Sequence, residues 1–117
     1  MPNKKVVLVD LDGTLALNLH RFHLIDPTKG KPDWERYFLA CEQDKINDPV
    51  LQAITALSKS DYKIHIMSAR GKVAEAKTIN WLNIHNVPYD ELTMREIGSF
   101  IPDEDLKKAW LFDLYPN

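Results

Sequence analysis

The sequence predicts one doubly wound α/β domain, a parallel sheet flanked by helices, with a small lid inserted after the first strand. Three observations carry that prediction. Valine-rich apolar runs alternate with amphipathic helical patterns; the first run stops at two aspartates before a glycine; and a stretch punctuated by proline and glycine interrupts the alternation. With 117 residues the chain suits a single domain, 1–117, that buries a modest core.

Residues 5–10 (KVVLVD) are too rich in β-branched side chains for a good helix and too continuously apolar for a half-exposed strand. They predict a strand buried on both faces, as in a parallel sheet. Residues 16–47 contain Pro27, Gly30 and Pro32 and exceed a strand-to-helix connection, so they predict the lid. Within it, residues 33–44 (DWERYFLACEQD) predict a helix capped by Asp33. Asp48 as cap and Pro49 at the first helical position open the next helix, with Val50, Leu51, Ile54 and Leu57 on one face. Residues 63–68 (KIHIMS) read as the second strand and residues 92–94 as a short third. Between them, residues 73–85 predict a helix whose buried stripe is Val73, Ala76, Ile79 and Leu82, ending near Asn86. Pro102-Asp103 opens a last helix carrying Leu106, Trp110 and Leu114, stopped by Pro116; Trp81 and Trp110 are assigned to the core.

Composition narrows the functional classes. The formal charge is −2 and the basic residues are scattered, which lacks the footprint of a protein gripping many phosphates but allows recognition of one nucleotide or one strand end. No apolar run approaches the roughly 20 residues of a membrane span. The basic start is followed by only Val6 to Val9 before charge returns, so a signal peptide is not expected. Cys41 is the single cysteine, which excludes an internal disulfide and argues against a cysteine zinc site. A cytoplasmic location is the expectation.

In an open α/β sheet, ligands bind beyond the carboxyl ends of the strands. The first strand ends there in Asp10-Leu11-Asp12-Gly13-Thr14. A bare D-x-D is commonly a solvated acidic turn, but here an apolar strand precedes it and Gly-Thr-Leu follows. Two acids at a strand end need a cation, donors or a raised pKa, and Mg²⁺ held by Asp10 and Asp12 meets that need. The second strand ends in Ser68-Ala69-Arg70-Gly71 and leads toward a helix, so a hydroxyl, free backbone N–H groups and a guanidinium predict a phosphate cradle. Lys107 flanks the stripe of Leu106 and Trp110 and is expected to reach inward and balance charge, whereas Lys108 suits a solvated face. Thr14 is read either as a support of the loop or Asp12, or as a simple turn residue. His20, Arg21 and His23 are placed to meet a leaving group or, equally, solvent. Trp34, Tyr37 and Phe38 suit the core by their spacing, or a stacked base, and Cys41 suits a small buried site.

These stretches resemble the haloacid dehalogenase superfamily, whose first motif stands intact as VVLVDLDGTL and whose second stands as IHIMS. A closer likeness is to the phosphatase domain of polynucleotide kinases and its stand-alone relatives, carried by HRFHLI, DWERYFLAC, SARG, WLNIHNVPYDELTMR and FIPDEDLKKAWL. The resemblance implies a Rossmann-like, haloacid dehalogenase-like fold and a Mg²⁺-dependent phosphatase acting through an aspartyl-phosphate. It also implies Asp10 as nucleophile, Asp12 as general acid and base, Lys107 as the motif lysine, and Ser68 and Arg70 as phosphate ligands. Thr14, Ala69 and Arg21 join the expected substrate contacts. The implied substrate is a nucleic-acid 3′-phosphate or a nucleotide.

The sequence departs from the superfamily where a fourth motif would bring a C-terminal strand ending in further acids. Trp110-Leu111-Phe112-Asp113 follows Lys107 too closely and suits a helix. The expectation is an open edge on the first strand, completed by a longer parent chain or by a homodimer. Two rival functions remain: a phosphate- or nucleotide-binding module impaired in catalysis, and a receiver-type signalling domain. The absence of a later strand-end aspartate speaks against the second.

Overall fold

The computed structural model describes residues 5–116. The central sheet has three parallel strands, β1 (Val6–Val9), β4 (Lys63–Gly71) and β5 (Glu91–Arg95), in the order β1-β4-β5. Val6 faces Lys63 and Val9 faces Ile66 across the first ladder; His65 faces Glu91 across the second. Helix α2 (Asp48–Lys59) precedes β4, α3 (Glu75–Ile84) links β4 to β5, and α4 (Asp103–Leu114) follows β5. Val9, Leu11, Leu15, Ile54, Ile64, Ile66, Trp81 and Leu82 pack into one core between the sheet and its helices. At about 25 cal/mol per Å² of apolar surface, burying such side chains is the main force holding these layers together.

The predicted lid is tied at its base by two short antiparallel strands, β2 (Ala16–Leu17) and β3 (Lys45–Ile46). Between them lie 3-10 turns at Leu19–Leu24 and Pro27–Lys29, then α1 (Trp34–Leu39), then another 3-10 turn at Ala40–Gln43. Asp33 caps α1 as predicted, accepting the Arg36 N–H at 3.1 Å. Cys41 is fully buried, and that burial pushes its thiol pKa up, as suits an inert packing residue.

Five sequence expectations are corrected. Strand β1 is not buried on both faces: Leu8 is 43% exposed because β1 is the sheet edge, and among the described residues no strand follows α4. The cap of α2 is Asn47, one residue earlier than expected, because the Leu15 carbonyl accepts its N–H and the Thr14 carbonyl its side-chain amide. Strand β4 runs past Ser68 to Gly71, with a bulge against β5. A 3-10 turn at Lys72–Ala74 then shifts the phase of α3, so Ala74, Thr78, Trp81 and Leu82 are buried while Val73, Ala76 and Ile79 are exposed. Helix α4 packs on β4 and buries only Leu106; Trp110 is half-buried and Leu114 exposed, because no further strand lies beneath its outer half. No helix among the described residues is long and apolar enough to cross a membrane.

Candidate active site

Directly after β1 the chain makes a tight loop. The Gly13 and Ala16 N–H groups donate to the Ala16 and Leu11 carbonyls, respectively, and the Thr14 N–H donates to Leu11. Gly13 has φ +82°, a region that L side chains rarely adopt, so the glycine lets the loop reverse within four residues. This geometry puts Asp10 and Asp12 on the wall of one cleft of about 910 Å³, bordered also by Ala69, Arg70 and Lys107. That volume lies in the range of small-molecule sites.

Asp10 is half-exposed and accepts the Leu11 N–H at 2.8 Å, while Lys107 Nζ stands 3.0 Å from the same carboxylate oxygen, Oδ1. The helical-face reading of Lys107 therefore lands on an acid of the first motif. Lys108 instead pairs with Glu104 at 3.3 Å on the solvated face.

Asp12 is held differently. Nη2 of Arg21 and Nη2 of Arg70 both donate to its Oδ1, at 2.5 and 2.6 Å. Burial, the largest single influence, raises the Asp12 pKa, but Arg70 and then Arg21 together outweigh it and hold the carboxyl below its ordinary value. Arg70 also donates to the Thr78 hydroxyl at 2.9 Å and is 1% exposed. Arg21 is equally buried, lies 4.2 Å from the centre of the Tyr37 ring, and donates to the Tyr37 carbonyl.

Behind the arginines stands Asp44, whose side chain has no exposed surface. It accepts Nε and Nη2 of Arg21, each at 2.8 Å, and meets His20 Nε2 at 2.6 Å. Arg70 Nη2 is 3.6 Å from it, and the Trp81 indole N–H donates to its main-chain carbonyl. Asp44 carries no signal in the sequence, where it looks like one more charge in a polar run. Nor did it signal Arg95, which binds the Ala69 and Ile101 carbonyls and Asp103, and so pins the loop 96–102 along the cleft.

The expected phosphate cradle takes another form. Ser68 is buried within the extended β4, and its hydroxyl accepts the Arg70 N–H at 3.1 Å instead of facing the cleft. Because β4 continues and a 3-10 turn intervenes, the N-terminus of α3 does not follow directly on Ser68. Thr14 holds the loop through its backbone and does not border the cleft. Ala69 and Arg70 do border it. Arg21 turns inward to the carboxylates, His20 turns to Asp44, and His23 is exposed. All three of the aromatic trio border the cleft, Tyr37 from a buried position and Trp34 and Phe38 with their ring centres 5.9 Å apart. Phe22, Ile97, Phe100 and Ile101 extend this apolar rim.

Among the described residues no cluster of three or more His, Cys, Asp or Glu could hold a metal. The Asp10 carboxylate and the Asp12 main-chain carbonyl would supply hard oxygen donors, the Asp12 carboxylate being held by Arg21 and Arg70. That set fits an ion which keeps several waters and takes one or two carboxylates, as Mg²⁺ does.

Comparison with known proteins agrees with this architecture. A chain of the Pnkp1/Rnl/Hen1 complex superposes with a TM-score of 0.77 at 28% identity, over 96% of this chain and 34% of its own length. A second structure, of the Pnkp1/Rnl/Hen1 RNA repair complex, matches at the same TM-score and identity over 32% of that chain. This sequence thus spans about a third of the length of those two chains. A crystallised protein from Vibrio cholerae shares the fold, with a TM-score of 0.51 at 21% identity over 77% of this chain and 68% of that one. No curated protein matches the sequence. The profile of the polynucleotide kinase PNKP phosphatase domain matches residues 4–114, nearly the whole chain. With a first-motif acid pair facing one cleft of a haloacid dehalogenase-like sheet, the chain belongs to the family of PNKP phosphatase domains.

Proposed function

We propose that this domain hydrolyses a phosphomonoester whose leaving group carries a base, either a nucleic-acid 3′-phosphate or a nucleotide. The observation that carries the reading is the convergence of Asp10, Asp12 and Lys107 on one cleft with an aromatic rim. A carboxylate oxygen of Asp10 attacks phosphorus in line, and the ester P–O bond breaks. The electron pair leaves with the ester oxygen, which takes a proton from Asp12. Water then attacks the aspartyl-phosphate, Asp12 takes its proton, and the P–O bond to Asp10 breaks to release phosphate. Two arginines favour the ionised form of Asp12 in the free site, the form that accepts a proton from the attacking water.

Lys107 neutralises charge on the transferring group, and Ala69 and Arg70 border the seat of its oxygens. Ser68 and Thr14 serve that seat indirectly, by holding the Arg70 backbone and the motif loop, and Arg21 serves it through Asp12. Asp10 and Asp12 would hold Mg²⁺, which supplies charge stabilisation at the phosphoryl oxygens when bound. Trp34, Phe38 and Phe100 offer faces for a base. Support for a nucleic-acid end comes from the family match and from the RNA repair complex that contains a similar chain.

A second reading, a phosphate- or nucleotide-binding module without turnover, is favoured by the lack of a third metal-ligating acid among the described residues. Phosphate release from p-nitrophenyl phosphate, mononucleotides and a 3′-phosphorylated oligonucleotide decides between them, with and without Mg²⁺ and beside Asp10→Asn. Release that needs Mg²⁺ and is lost in the variant establishes the enzyme. Binding of ligand without release selects the module. Steep loss of turnover with salt, for the oligonucleotide alone, would mark extended backbone contact. We propose also that the exposed β1 edge pairs with a second copy; a monomer in sedimentation at micromolar concentration would refute that.

A further inference from the structure

Strand β5 and helix α4 are joined by a strap, residues 96–102, that borders the cleft along its whole length. Both ends of the strap are pinned. Lys72 Nζ meets Glu96 at 2.6 Å at one end; at the other, Arg95 donates to the Ile101 carbonyl at 2.5 Å and to Asp103 at 2.6 Å. Between the pins the chain turns at Gly98, whose φ of +84° would strain an L side chain.

Two features of the strap are unfavourable as it rests. Phe100 is 93% exposed and Ile97 79%, so large apolar side chains stand in water at the mouth of a cleft. The Ser99 hydroxyl is closed off from solvent and meets no hydrogen-bond partner among the described residues, which costs about 1–3 kcal/mol. The lid side of the cleft is, by contrast, already set. Trp34 packs edge-on against Tyr37, and Phe38 rests on Gly71, where even an added methyl group would stand 3.4 Å from its ring. Trp34 still keeps about half of its surface open. Charge at the mouth is already engaged. Each cation that borders the cleft faces a carboxylate that borders it too: Arg70 faces Asp12, Lys72 faces Glu96, Arg95 faces Asp103, and Lys107 faces Asp10.

What remains for recognition is apolar surface on the lid and on the strap, with one unpaired hydroxyl between the pins. A ligand that answers both has a flat apolar face and a polar edge, as a nucleobase does. We propose that the strap is the specificity element of the site: Phe100 and Ile97 settle on one face of a base whose other face rests on Trp34, and Ser99 meets the base edge. The inference rests on the nucleotide reading above and deepens it, because the base and not the phosphate selects the substrate.

The test measures binding by calorimetry, with Mg²⁺ present, to an Asp10→Asn chain that keeps the cleft without the nucleophile. One ligand is deoxyadenosine 3′-monophosphate; the other is the same sugar phosphate without its base. The two differ only in the base, so the ratio of their Kd values reads the slot alone. Phe100→Ala should weaken the nucleotide by roughly 5–150-fold, the weight of one stacked base, and lower that ratio by the same factor. Ser99→Ala should lower it by roughly 2–12-fold, the weight of one hydrogen bond. Phe100 stands almost wholly in water, so its truncation leaves the fold in place. Phe112→Ala, also open to solvent but on α4 away from the cleft, should leave the ratio unchanged. A nucleotide that binds no tighter than the baseless sugar phosphate would overturn the proposal, as would a Phe100→Ala loss shared equally by both ligands. Base-dependent binding by a parent chain that releases no phosphate would refute the phosphatase reading and keep the slot. Release from both ligands at equal kcat/KM would refute the slot and keep the enzyme.

Discussion

Arg21→Met is the substitution that most directly probes how the site is held together. Methionine keeps the apolar stem of arginine but ends short of the guanidinium, so it can make none of the polar contacts. The change removes two hydrogen bonds to Asp44 oxygens through Nε and Nη2, one to Asp12 and one to the Tyr37 carbonyl. What matters energetically is what remains. Asp44 stays inside with no exposed side-chain surface, keeping His20 at 2.6 Å and Arg70 at 3.6 Å. Breaking a buried ion pair by deleting one partner destabilises by about 3–5 kcal/mol, and the surviving His20 contact places this case near the lower figure. At a urea slope of about 2 kcal/mol per M, the unfolding midpoint should fall by roughly 1.5 M at pH 7. Domains of this kind are stable by about 5–15 kcal/mol, so the variant stays folded but close to the margin.

The assay is equilibrium urea unfolding followed by tryptophan fluorescence, run beside the double variant Arg21→Met with Asp44→Leu. Replacing both members of a buried pair by apolar groups is often neutral, so the double variant should regain most of the loss. A single variant within about 1 kcal/mol of the parent, or a double variant no better than the single, would refute the reasoning.

Three further outcomes are expected. Lys107→Met should lower turnover by roughly 100–1,000-fold, the scale for removing one preorganised charge at the reacting group, and Lys108→Met should leave it nearly unchanged; equal effects would show that the Asp10 contact carries no function. Trp34→Ala should raise KM for nucleotide substrates by roughly 5–150-fold, the weight of one stacked base, while sparing p-nitrophenyl phosphate; equal effects on both would argue against stacking. His65 is buried between β4, β5 and Tyr115, and its ring nitrogens meet the Tyr115 and Thr93 hydroxyls at 2.7 Å each. Burial there, more than the opposing Glu91, lowers its pKa from the usual 6.5. The unfolded chain then binds the proton more readily than the folded one. This contribution is fully in place above pH 6.5 and stability falls as the pH drops below it, by at most about 1.4 kcal/mol per pH unit; thermal melts of the parent chain and His65→Gln from pH 7.5 to 5 would read this, and parallel curves would refute it.

Much of this protein is written locally. The valine run of β1, the acids and glycine after it, the Asp33 cap and the proline at the start of α2 each act over a few residues, so their meaning survives without a fold. Lys107 was reachable by the same logic, since Leu106 marks the buried face of α4 and one neighbour must flank it. The sequence by itself therefore determined the α/β class, the place of an inserted segment after the first strand, and which strand end holds Asp10 and Asp12. Tertiary structure decided which charges meet. Arg70 and Arg21 look in sequence like donors for a ligand, yet the fold turns both onto Asp12 and backs Arg21 with Asp44, 23 residues away. The phase of α3 was decided by a 3-10 turn that periodicity does not reveal, and Leu8 and Leu114 lie open because no described strand covers them. The physical reason is common to these cases. Periodicity and capping are short-range, whereas burial and charge pairing depend on elements far apart in sequence, whose contacts exist only once the sheet and lid have closed.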